Sequence, residues 1–329
     1  MARIEKRGKK YRVVWDTGTP DNRKRRIQSF DTFAEAKQFK ARIELELSTG
    51  TYVEPAQMTF GQYLDHWLAL HGDKLAPKTL DSYQCEIKNH IKPHLGSIKL
   101  SKLSPMHLQD YYVFMLREGK TDGTGGLSPT TVNYHHRLIH KALEQAVKWQ
   151  MVARNVADAV EPPRPERKQI NYLHRDEVNR FINCIKESPD YPIIATAILT
   201  GMRRGEILGL RWQDINFEKG LIHVRQQLQY IQGQGYFFKT PKQHSIRDIP
   251  MPLPLNAIFR SIRKQQAEIK AIYEQAARDS CKESQYTDLD LVFCRYDGRP
   301  LNPSGLTRRF QALLKQHGCQ LPPTEVGGM

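Results

Sequence analysis

The segment Glu161-Pro162-Pro163-Arg164-Pro165-Glu166-Arg167-Lys168 crowds three prolines into four positions and offers no apolar anchor. Proline fixes φ and lacks a backbone N–H, so such a run reads as a stiff, extended linker. A 329-residue chain interrupted there is expected to fold as separate cores. We therefore place a linker over residues 161–169 and a weaker joint near Val53-Glu54-Pro55. An apolar content of 39% suits several small cores better than one large one.

Charge narrows the partners. Fifty Lys or Arg against 35 Asp or Glu leave a net charge of +15. An excess of that size fits a polyanion, either nucleic acid or an anionic membrane surface, against the alternative of a merely soluble basic protein. No apolar run approaches the ~20 residues that span a bilayer, so no membrane-spanning segment is expected, and of the two polyanions nucleic acid rather than a membrane is taken as the partner. The N-terminus, Met1-Ala2-Arg3-Ile4-Glu5-Lys6-Arg7, has no apolar core of a secretory signal. The five cysteines are scattered without a Cys-x-x-Cys pair, which argues against a zinc ribbon or a disulfide framework. A reducing cytoplasm, in association with the nucleoid, is the expected location.

Three segments follow. Residues 1–56 read as a small α+β module. Tyr11, Val13 and Trp15 form a half-buried strand, Arg23 to Phe30 the return strand, and Thr32-Phe33-Ala34-Glu35 a capping box before a helix carrying Ala36, Phe39, Ile43 and Leu47. Ten Lys or Arg against three acids lie between residues 1 and 26. Lys9, Lys10, Arg12, Arg23, Lys24, Arg25 and Arg26 are candidate DNA contacts, the alternative being a solvated basic edge that blocks strand pairing.

Residues 58–160 read as a helical bundle. Thr59, Pro77, Ser104-Pro105 and Ser128-Pro129 start four amphipathic helices. Lys120 to Leu127 reads as a mobile Gly-rich loop. His135, His136 and His140 on the last helix have spacing that could suit a metal, but a solvated or DNA-facing surface is the favoured reading, and no metal is expected. Residues 170–329 are mixed. Helices from Arg175 and Pro192 precede strands at Leu221–Leu228, Tyr236–Phe238 and Ile246–Ile249. A long helix then starts at Leu253 and a last one follows Asn302-Pro303.

The chemistry sits in Thr200-Gly201-Met202-Arg203-Arg204-Gly205-Glu206, closed by Leu210-Arg211-Trp212-Gln213-Asp214-Ile215. An arginine suits phosphoryl transfer, because its planar fork binds two phosphate oxygens and keeps its proton. Arg203 stands at a helix-to-helix joint, and Glu206 can orient its guanidinium or cap the next helix. Alone, Arg-Arg-Gly-Glu reads better as a surface turn with an ion pair; the Thr-Gly before it and the Leu-x-Trp-x-Asp-Ile after it reverse that reading.

The whole run resembles the first catalytic-arginine box of the tyrosine recombinases, the phage and transposon integrases. The resemblance continues in Lys239-Thr240-Pro241-Lys242 ahead of Ile246-Arg247-Asp248-Ile249-Pro250, similar to the family's lysine hairpin. It implies that Arg203 binds the scissile phosphate and that Lys239 is the general acid on the leaving 5′ oxygen, with Lys242 a weaker substitute. It also implies a multidomain, mainly α fold with small β elements. In order these are an arm-type DNA-binding domain (1–56), a helical SAM-like core-site domain (58–160), the linker, and an incomplete recombinase catalytic domain (170–329). Lys78 and Lys88 on the second helix of the bundle are further candidate DNA contacts. Implied partners are double-stranded attachment-site DNA and further copies of the chain assembled on it, with no metal or other cofactor.

The family pattern goes on to a His-x-x-Arg box and a nucleophilic tyrosine. Here no His-x-x-Arg follows position 303 and no tyrosine follows Tyr296, which precedes the last helix. The resemblance therefore implies a C-terminally truncated integrase that binds DNA without an attacking group for covalent catalysis. The alternative function is a non-catalytic DNA-binding regulator that competes with an intact recombinase. A metal-dependent nuclease lacks the convergent carboxylates that two metals need.

Overall fold

A computed structural model describes residues 2–17, 24–49, 57–165, 172–241, 246–279 and 284–317, the Lys24 and Glu46 side chains excepted. The chain divides into two compact units, Met1–Arg167 and Lys168–Met329. Arg23, Lys242, the joint at 53–55 and residues 318–329 lie outside the described residues.

Within the first unit, β1 (Arg3–Arg7), β2 (Lys10–Thr17) and β3 (Lys24–Phe30) form an antiparallel sheet in chain order. The alternation of β2 turns Tyr11, Val13 and Trp15 toward α1 (Phe33–Ser48), where they meet Ala36, Phe39 and Ile43. The Thr32 hydroxyl accepts from the Glu35 N–H, and the Glu35 carboxylate accepts from the Thr32 N–H, both at 3.3 Å. That reciprocal cap satisfies two backbone donors at the start of α1.

The helical part comprises α2 (Phe60–His71), α3 (Pro77–Glu86), α4 (Lys92–Leu95), α5 (Pro105–Glu118) and α6 (Pro129–Lys148). Thr59, Ser104 and Ser128 cap α2, α5 and α6 through their hydroxyls. Phe60, Tyr63, Leu64, Trp67, Leu108, Tyr112, Ile139 and Leu143 are all but sealed from solvent in one core. Two features differ from the sequence reading. First, α3 does not run straight into α4, because Ile87–Ile91 is a π-helical turn in which the Lys92 N–H donates five residues back, to the Ile87 carbonyl. Pro93 supplies no N–H and crowds the carbonyl four residues back, so a wider turn relieves the ladder just before it. Second, the loop read as mobile is closed by hydrogen bonds. Lys120 N–H donates to the Gly125 carbonyl at 2.9 Å, Leu127 N–H to the Met115 carbonyl at 2.8 Å, and Thr124 N–H to the Asp122 carboxylate at 3.0 Å.

The second unit contains α7 (Arg175–Cys184), α8 (Tyr191–Thr200), α9 (Arg204–Leu208), α10 (Leu253–Asp279) and α11 (Pro303–Gln316). Its strands are β4 (Ile215–Asn216), β5 (Leu221–Val224), β6 (Gln227–Ile231), β7 (Gly235–Lys239) and β8 (Arg247–Pro250). The single strand expected over Leu221–Leu228 is two. β5 lies between β4 and β8, whereas β6 leaves that sheet and pairs with β7 alone. The break falls at Arg225-Gln226, where the Gln226 side chain donates to the Gly209 carbonyl at 2.8 Å and draws the chain toward α9. Leu208, Ile222, Val224, Leu255, Phe259 and Val292 make the main core. The apolar face of α10 is covered only in its first turns, since Leu255 and Phe259 are buried and Ile272 is 68% exposed. Asn302 caps α11 by accepting from the Ser304 and Gly305 N–H groups at 2.9 and 3.0 Å.

Candidate active site and nucleic-acid interface

The arginine box folds as a helix stop followed at once by a helix start. Gly201 ends α8 in the left-handed region, at φ 63°, a conformation glycine adopts without steric cost. Two residues on, Arg203 is extended and occupies the N-cap position of α9. Its backbone N–H donates to Glu206 Oε2 at 2.9 Å, and its guanidinium Nη1 donates to Glu206 Oε1 at 3.0 Å. The Arg203 side chain stays 69% exposed, with Nη1 of its guanidinium anchored on Glu206.

Glu206 is 1% exposed and is the anchor of the site. Besides Arg203 it accepts two bonds from Arg247 of β8, Nη2 to Oε2 at 2.7 Å and Nη1 to Oε1 at 3.1 Å. Burial pushes this carboxyl up, but the bonds from Arg247 and from the backbone and side chain of Arg203 outweigh it and hold it below the usual carboxylate range. One buried negative charge thus faces two guanidinium groups, which leaves local positive charge to be met from outside. Arg247 was not singled out in the sequence, because 41 residues separate it from Glu206. The sequence read it only as part of a strand.

Lys239 is exposed at the end of β7, opposite Gln227 of β6. The β6 backbone in turn lies against α9, so closely that a Cβ on Gly209 would stand 2.8 Å from the Leu228 nitrogen. The hairpin that carries Lys239 is therefore docked on the helix that Arg203 caps. The Gln227 side chain donates to the Thr240 carbonyl at 3.2 Å and ties down the chain just past Lys239. Tyr296 is 77% exposed before α11.

The basic candidates of the N-terminal sheet divide between its faces. Arg12 and Arg25 lie on the face opposite α1, together with Arg3, Arg7 and Lys10, by the strand alternation that turns Val13 and Trp15 toward the helix. Arg26 pairs in register with Trp15 and lies on the helix side, so it does not share the face of Arg12 and Arg25; Arg12 and Arg26 are both half-buried, whereas Arg25 is exposed. Lys9 and Lys10 are exposed at the β1–β2 turn, with Lys10 3.1 Å from Asp31. In the helical part, Lys78 is half-buried and bonded to Asp81 at 2.9 Å, whereas Lys88 is exposed on the π turn.

The expectation that His135, His136 and His140 form a solvated or DNA-facing surface is corrected. His135 is fully buried because it falls in the apolar stripe of α6, between Val132 and Ile139. His136 and His140 are half-buried, His136 bonded to the Tyr112 hydroxyl at 2.9 Å and His140 to Asp158 at 2.8 Å.

Two family models match, "Phage integrase, N-terminal SAM-like domain" over residues 59–116 and "Phage integrase family" over residues 171–325. The chain belongs to the tyrosine recombinase family of phage and transposon integrases. Similar proteins include an integrase of Saccharopolyspora erythraea, 26% identical over 224 residues, covering 66% of this chain and 48% of the relative. A "Tyrosine recombinase XerC-like" protein of Caldanaerobacter subterraneus is 25% identical over 333 residues, covering 95% of this chain and 82% of the relative. The chain thus spans about half the length of the first relative and most of the second. Among solved structures, the Tn1549 transposon integrase in complex with a circular intermediate DNA shares the fold at a TM-score of 0.65 and 20% identity, covering 82% of this chain and 83% of that one. A lambda integrase tetramer bound to a Holliday junction shares it at 0.55 and 17% identity, covering 96% and 84%. No helix among the described residues is long and apolar enough to cross a membrane.

Proposed function

We propose that this chain binds double-stranded DNA of the attachment-site type and presents Arg203 to a scissile phosphate. Glu206 holds one edge of the guanidinium, and Arg247 holds Glu206, so the free donors of Arg203 meet non-bridging oxygens without first having to be ordered. Lys239, on the hairpin docked against α9, is the proton donor to the leaving 5′ oxygen. The observation that carries this reading is the exposed guanidinium of Arg203 anchored on a buried carboxylate that a second arginine already grips.

The domain assignment is part of the same proposal. The N-terminal module, residues 1–56, binds arm-type sites through the sheet face of Arg12 and Arg25. The helical bundle, residues 58–160, holds the core site, and residues 170–329 hold the scissile phosphate. Several copies assemble on the DNA. Covalent strand cleavage also needs a nucleophile and further phosphate ligands, and these 329 residues contain neither a tyrosine after Tyr296 nor a His-x-x-Arg after position 303. Assayed by themselves they are expected to shift attachment-site DNA in a gel and to form no covalent adduct with a nicked suicide substrate. A phosphotyrosine adduct would overturn the inactivity, and binding no stronger than to an unrelated duplex would overturn the site-specific reading.

A further inference from the structure

In the helical part of the first unit, Glu86, His90 and His135 each offer one ligand atom, and these atoms all lie within 4.8 Å of one another. Glu86 ends α3, His90 sits on the π turn and His135 projects from α6. Glu86 Oε2 is 2.9 Å from His135 Nε2 and 3.7 Å from His90 Nε2. We propose that this triad is a divalent-metal site of the zinc class, with two imidazoles and one carboxylate as ligands and an open fourth position. Ligands at ~2.0–2.1 Å on a tetrahedral metal stand about 3.4 Å apart, close to the spacing already present.

Three further observations support the assignment. The second nitrogen of His135 is held, since Nδ1 is 2.9 Å from the Tyr111 hydroxyl. The hydroxyl can donate to Nδ1 while Glu86 accepts from Nε2–H, or accept from Nδ1–H when a metal takes Nε2. The ligands grade from sealed to accessible, His135 at 0%, His90 at 14% and Glu86 at 21% side-chain exposure, which gives an ion an entry path. The π turn lies between Glu86 and Lys92 and carries His90, and such widened turns frequently mark functional sites. The bound ion would clamp α3 and the π turn onto α6, stiffening the bundle.

The test uses the full chain, stripped with EDTA, dialysed against one equivalent of Zn2+ and measured for metal content and thermal midpoint. One zinc retained per chain is expected, with a rise of several degrees in Tm that EDTA reverses. Glu86→Gln and His90→Gln are each expected to abolish both effects. Both replace partly exposed side chains, and their metal-free Tm shows that they fold. The double variant His136→Gln/His140→Gln removes the other histidine pair on α6 and is expected to leave both effects intact. Absence of retained zinc, retention by Glu86→Gln, or loss in the His136/His140 variant would each overturn the proposal.

Discussion

Glu206 is the residue on which the site balances. It has no solvent to stabilise its charge, so its ionised form depends on Arg203 and Arg247. Glu206→Gln removes the charge while nearly keeping the shape, and leaves two guanidinium groups without a common anion. Breaking a fully buried pair costs about 3–5 kcal/mol, and the partial exposure of both arginines brings the expected loss to roughly 2 kcal/mol, readable as a fall in Tm. The sign of the pH dependence follows from a carboxyl held below its ordinary value of 4.5. Its contribution is fully present above that value and is lost as pH falls through the lower, folded-state value. The Tm gap between wild type and Glu206→Gln should therefore be flat above about pH 5 and shrink in more acid solution. A gap that widens on acidification would contradict the charged reading.

At the level of elements, the contact of β6 with α9 decides where Lys239 sits. A Cβ at Gly209 would meet the Leu228 nitrogen at 2.8 Å and the Gln227 backbone at 3.0 Å, and backbone cannot step aside as a side chain can. Gly209→Ala is expected to push the hairpin off α9 and to cost about 1–3 kcal/mol. Gly305→Ala in α11 meets nothing nearer than 3.7 Å and should be neutral or stabilising, since alanine favours helix by about 1 kcal/mol over glycine. Thermal melts of the two variants check the contrast. The N-terminal sheet offers a second test. Arg12→Ala and Arg25→Ala lie on the face opposite α1 and should each lower the salt slope of DNA binding by about one, whereas Arg26→Ala on the helix side should lower it less.

Helix starts were the most legible elements, because Thr59, Ser104, Ser128 and Asn302 place a side-chain oxygen where it must accept from the next turn. The split of β5 from β6 was not legible. Residues on both sides of Arg225-Gln226 keep strand character, and only the tertiary bond from Gln226 to Gly209 separates the sheets. The π turn was hidden for a related reason, as Tyr83, Ile87 and Ile91 are spaced as an ordinary helix would space them. His135 falls in the apolar stripe of Val132 and Ile139 on α6, and its partners Tyr111 and Glu86 come from other helices. Arg203 and Glu206 were legible because they are local to one turn, and Arg247 was not because its partner is distant in sequence.

For the molecule as a whole, the net charge of +15 predicts that affinity for any duplex falls steeply with salt. The log–log slope should be several units, and an attachment-site duplex should retain an advantage over an unrelated one at every salt concentration. A slope near zero would remove DNA as the partner. That slope, however, counts phosphates without saying which one Arg203 holds. The sharper measurement is a scan of single methylphosphonate substitutions along an attachment-site duplex, comparing the full chain with its Arg203→Ala variant. Losing charge-assisted bonds should weaken binding by about 1.5–3 kcal/mol on ordinary DNA. That deficit should vanish when one particular phosphate, the scissile one, has lost its charge. A deficit that persists unchanged at every substituted position would mean that the guanidinium of Arg203 does not address a single phosphate.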